Sequence, residues 1–138
     1  MKNKLITKDF NFIGFGIISV SLIGTDTELS AQPFLVSKTK EGLFEAIALN
    51  FGTVSLGTTE DEAIRNMSLS IFTYAVSFMQ AKAPIDTISR AEYMGDFFAE
   101  YARLSITNNK TMKSMLNFFY KNEKENSYNA TGNYYKVA

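Results

Sequence analysis

The stretch "FGTVSLGTTEDEAIRNM", Phe51 to Met67, changes character half-way. Its first residues alternate and carry β-branched side chains, the pattern of a short strand at 53–56. Gly57 ends the strand, two threonines follow, and Glu60, Asp61 and Glu62 run into a helical pattern. Thr59-x-x-Glu62 has the form of a capping box, in which the threonine oxygen takes the Glu62 N–H and the glutamate reaches back to Thr59. Acids in a first turn also suit the helix dipole. The three acids therefore read as the start of a helix and not as a metal or acid–base site, because no further ligand spacing lies nearby.

Upstream, Phe12 to Ile23 is rich in Ile, Val and Phe, with glycines at 14, 16 and 24. It predicts one long strand with a bulge at a glycine. "TDTELS" (25–30) is turn chemistry, "PFLVSK" from Pro33 a second strand, and "TKEG" (39–42) a hairpin turn. "LFEAIALNF" (43–51) is a third strand with Phe44, Ala46 and Ala48 on one face, broken by Gly52. Gly14-Phe15-Gly16 is part of a phosphate-loop pattern. It lies within a strand and lacks the third glycine, so it reads as a strand feature. Lys2, Lys4 and Lys8 ahead of this apolar run resemble a secretory signal, with Ala31 beyond it. Asp9, Asn11 and the absence of a small-x-small site weigh toward a buried strand, and the run is too short and Gly-rich to span a membrane as a helix.

Downstream, the helix is expected to reach about Lys82, where Pro84 stops it. Ala63, Ile64, Met67, Ile71, Tyr74, Ala75 and Phe78 form one apolar stripe. Leu69, Phe72, Val76 and Met79 form a second, to be covered by the C-terminal segment, by a dimer mate or by a partner protein. Ser89-x-x-Glu92 is another capping box and opens a helix to about Leu104, with Met94, Phe97, Phe98, Tyr101 and Leu104 along one side. "TNNK" (107–110) is a loop. Thr111 to Lys121 is expected to be a third helix, with Met112, Met115, Leu116 and Phe119 on one face. The polar tail from Asn122 is either loosely ordered or a small hairpin around Thr131-Gly132-Asn133.

Composition narrows the chemistry. The 138 residues contain no Cys and no His, which excludes disulfides, thiolate nucleophiles, Ser–His sites and most zinc sites. Asp26, Glu28, Glu41 and Glu45 are the acids of the strand region, and their spacing is not that of a metal-dependent nuclease. The formal charge is zero but unevenly placed. Residues 41–89 hold six acids and two basic residues, whereas residues 107–138 hold five lysines and two acids. Lys110, Lys113, Lys121 and Lys124, interleaved with Tyr120 and Tyr128, are candidate nucleic-acid contacts, although Glu123 and Glu125 dilute the stripe.

The order of pieces resembles the HicB-like antitoxin domain over about residues 32–89. The carrying residues are Gly52, Gly57, Thr59, Asp61, Glu62, Ala63, Asn66 and Pro84-Ile85, in strand, acidic Gly hairpin, strand, Gly-x4-Gly, Thr-x-Glu-Glu-Ala-like helix start and closing proline order. Phe51 stands where the family has a proline before the first glycine, and Asp86 replaces its second closing proline. The resemblance implies a partial RNase H-like fold without nuclease carboxylates, and a cytoplasmic, non-catalytic antitoxin that binds and occludes a small basic toxin or nuclease. The expectation is an α+β fold: an antiparallel sheet from residues 10–57, one long helix packed on it, and additional C-terminal helices. Residues 1–89 would form the α+β domain and 90–138 a helical extension. No cofactor and no membrane are expected, and the chain is expected to form a homo-oligomer. The rival readings are a nucleic-acid-binding regulator that uses the Lys-bearing C-terminal segment and a homo-oligomeric structural or interaction protein with the second stripe as its seam.

Overall fold

The computed structural model describes residues 10–81, 95–107, 110–121 and 127–137, with side chains for all of these except 78–81 and 111–114. The chain is α+β. Strands β1 (Phe12–Leu22), β2 (Glu28–Lys38), β3 (Phe44–Ala48) and β4 (Thr53–Gly57) lead into helix α1 (Glu60–Ala81). Helix α2 (Gly95–Ile106) and strands β5 (Lys110–Tyr120) and β6 (Tyr128–Val137) follow. All six strands form one sheet in the order β4-β3-β2-β1-β6-β5, and every neighbouring pair is antiparallel.

Two expectations are corrected. Thr111–Lys121 is not a helix: Lys110–Tyr120 is a strand, so α2 is the only described helix after α1. The sheet is also larger than residues 10–57, because β6 pairs along β1 and carries β5 on its far side. The segment admits both readings. Met112, Met115, Leu116 and Phe119 have helical spacing, whereas Leu116, Phe118 and Tyr120 alternate. The alternation prevails because the α1 side of the sheet buries Leu116 and Phe118 and stacks Tyr120 on Tyr128. β2 also begins before the expected Pro33, and its first residues continue past a bulge where Ala31 takes a positive φ of 52°.

The alternation of side chains makes two cores. Ile18, Val20, Phe34, Val36, Ala46 and Ala48 face α1 and meet Ala63, Ile64, Met67 and Ile71. Their neighbours Phe15, Leu35 and Ile47 face the other way and meet Phe97 and Leu104 of α2. The helices therefore cover opposite faces. Gly57 lets α1 start against the sheet, since a Cβ there would collide with the Ala63 backbone. Gly14 likewise makes room for the Tyr134 ring, which lies where a Gly14 Cβ would stand.

The start of α1 is capped much as the sequence implies. Glu62 N–H donates to Thr59 Oγ1 at 3.0 Å. The reciprocal bond comes one residue early, with Thr58 N–H donating to Glu62 Oε1 at 3.1 Å. Glu60 has a second role: it accepts from the buried Tyr134 hydroxyl at 2.5 Å and lies 3.8 Å from Lys136 Nζ. Burial, and then the adjacent Glu60 carboxylate, push the Tyr134 phenol well above its ordinary range. The stop at Pro84 and the cap at Ser89–Glu92 lie outside the described residues.

A candidate protein-binding edge

The second stripe of α1 divides. Phe72 and Val76 are buried in the chain's own core, where Phe72 packs on Tyr128 and Tyr120 with centroids 4.7 and 6.0 Å away. Phe72 is covered by the C-terminal hairpin, and both side chains are buried and offer little surface to a dimer mate or partner. Beneath them Tyr128 and Ser68 share a hydrogen bond of 2.9 Å, and Ser68 donates to the Arg65 carbonyl at 2.7 Å. Tyr128 is therefore satisfied, and burial raises its pKa. Leu69, half-buried on the same stripe, lines a groove of about 500 Å³ with Thr53, Val54, Ser70, Thr73 and Tyr74. The side chain of Met79 lies outside the described residues.

This groove runs between α1 and β4, an edge strand. Leu49 N–H donates to the Pro33 carbonyl, which makes Phe34↔Ala48 a non-hydrogen-bonded pair of β2 and β3. By alternation, Ala46 and Ala48 turn their backbone groups to β4, so Val54 and Leu56 turn theirs outward. Asn66 Nδ2 takes the outward Leu56 carbonyl at 2.8 Å. The side chains of Val54 and Leu56 lie on the α2 face, opposite Ile47 and Glu45 respectively, and are 53% and 52% exposed. The Thr53 hydroxyl is buried without a hydrogen-bond partner among the described residues. Such an edge can accept an extended segment as a further strand. Glu45 beside Leu56, and Asp61 and Glu62 just past the end of β4, set the sign of charge around it.

Of the four lysines predicted to meet nucleic acid, Lys110 and Lys121 have described side chains, at the two ends of β5. The Lys110 ammonium donates to the Ser105 carbonyl in the last turn of α2, where a cation suits the helix dipole. Lys121 is exposed. The Lys113 side chain and Lys124 lie outside the described residues. Of the two interleaved tyrosines, Tyr128 is buried and Tyr120 is turned to Phe72. Among the described residues, no group of three or more acidic side chains is placed to hold a metal ion, and no helix is long and apolar enough to cross a membrane. What the sequence did not reveal is that β4 is an edge. That depends on which strand lies outermost, and no local pattern encodes it. Comparison with protein families, curated proteins and solved structures gives no match to this chain.

Proposed function

We propose that the chain is a non-catalytic binding protein of the HicB-like antitoxin kind, which occludes a small basic toxin or nuclease in the cytoplasm by docking it on the β4 edge. One observation carries the reading. β4 combines outward backbone groups, exposed Val54 and Leu56, and acidic neighbours in one place. Main-chain hydrogen bonds and apolar contact supply affinity in strand addition. Complementary charge speeds encounter and rejects acidic competitors. The order of motifs from Gly52 to Asn66 that resembles the HicB-like domain coincides with this edge and the helix beside it.

The test is affinity capture from the native cells, with the co-purifying chain identified by mass. A small basic protein that halts growth when expressed alone is the expected result. Its capture should be lost in Val54→Lys with Leu56→Lys, while far-UV circular dichroism stays unchanged. Recovery of nucleic acid, or of the chain by itself, overturns the proposal.

A further inference from the structure

Among the described residues, β4 and β5 are the outermost strands of the sheet, and they are built alike. At β5, the bond from Ile23 N–H to the Ser127 carbonyl makes Leu22↔Tyr128 a non-hydrogen-bonded pair. By alternation, Tyr128, Ala130 and Gly132 turn their backbone groups to β5, so Met115, Asn117 and Phe119 turn theirs outward. Leu116 and Phe118 face α1, which places Met115 and Phe119 on the α2 face. They are 79% and 61% exposed. Each edge therefore has outward backbone groups on residues whose apolar side chains lie exposed on the same face of the sheet.

Direction and charge decide what fits. Five successive antiparallel pairings separate β4 from β5, so the two edges run antiparallel. A second copy set beside the first in the same orientation offers its β4 antiparallel to β5, with both α2 faces on one side. β5 and the residue after it carry Lys110, Lys113 and Lys121 and no acid, with Glu123 and Glu125 following beyond Lys121, whereas β4 carries no basic residue and has Glu45, Asp61 and Glu62 about it. Pairing β5 with β5 around a two-fold axis sets lysines against lysines, the usual means by which edge strands avoid self-pairing. Pairing β4 with β4 sets acids against acids. Only the head-to-tail arrangement brings opposite charges together.

We propose that β5 of one copy adds to β4 of a second copy, extending the sheet head to tail and joining Met115 and Phe119 with Val54 and Leu56 in one apolar row. The contact is heterologous, so it repeats from copy to copy. It also covers the edge assigned above to a partner, so self-association and capture compete. That last consequence alone rests on the partner reading.

Sedimentation of the purified full chain tests the docking without any partner. The wild type should rise above monomer mass with concentration, and less so in high salt. Met115→Asp damages β5 and Leu56→Lys damages β4, both at exposed positions. Each variant alone should stay monomeric, and an equimolar mixture should give a one-to-one complex, because one sound β5 then meets one sound β4. Phe119→Asp and Val54→Lys replace them if circular dichroism shows either variant unfolded. The proposal is overturned if the wild type stays monomeric at every concentration, if Leu56→Lys still dimerises by itself, or if the folded variants do not combine.

Discussion

The two faces of the sheet differ in how completely the described residues cover them, and the described helices on them differ in length. α1 has 22 residues and α2 has 12. At ~1.5 Å per residue these are about 33 and 18 Å long. Six strands span about 24 Å between the outermost pair at ~4.8 Å spacing. On the α1 side, one continuous core accordingly takes in residues from β1, β2, β3, β5 and β6. On the α2 side, the core gathers Phe15, Leu35, Ile47 and Leu49 and leaves Ile17, Met115 and Phe119 exposed. Ile17, Val54, Leu56, Met115 and Phe119 are exposed on the α2 face, and that is where both proposed contacts draw their apolar area.

Substitutions can break this contrast. The largest effect is expected for Phe72→Ala on the fully covered face. Deleting a buried aromatic ring costs about 3–5 kcal/mol, and urea titration should show unfolding at lower denaturant, not dissociation into folded subunits. Next is Tyr134→Phe, which removes a hydrogen bond to a carboxylate and should cost about 1.5–3 kcal/mol. It should also change the alkaline limb. A phenol whose pKa is raised by folding contributes stability that is present below its unfolded value, about 10, and lost as pH climbs above it. Tyr101, Tyr128 and Tyr134 are all raised. Stability should therefore fall above that pH with a slope that Tyr134→Phe makes shallower, as read from thermal melts across alkaline buffers. Thr59→Ala should cost about 0.5–2 kcal/mol through loss of the α1 cap. Phe119→Ser, on the open face, should stay within about 0.5 kcal/mol of wild type. A large loss there would mean that the face is covered after all.

Legibility followed locality. The hairpin at 39–42 was readable because its signals lie within a few residues: Thr39 N–H donates to the Leu43 carbonyl and Gly42 N–H to the Thr39 carbonyl. The Thr59 cap was readable for the same reason, and only the return bond of Glu62 shifted, to Thr58. β5 was misread because a helical and an alternating apolar pattern coexist in the same eleven residues. The second apolar stripe of α1 divides in a way that its spacing does not encode: Leu69 lines the groove beside β4, whereas Phe72, of the same stripe, is core.

By itself the sequence determined the α+β class, the first four strands, the capped start of α1 and the lack of His- and Cys-based chemistry. These rest on turn glycines, caps, period and composition, all of which act over a few residues. Tertiary structure alone decided that β6 pairs with β1, that β5 is a strand, and that β4 and β5 are the edges. Pairing across more than a hundred residues, such as Phe15 with Tyr135, depends on which apolar faces can be buried together. That is a property of the whole chain, since burial is non-directional and is settled only when every element has found its cover.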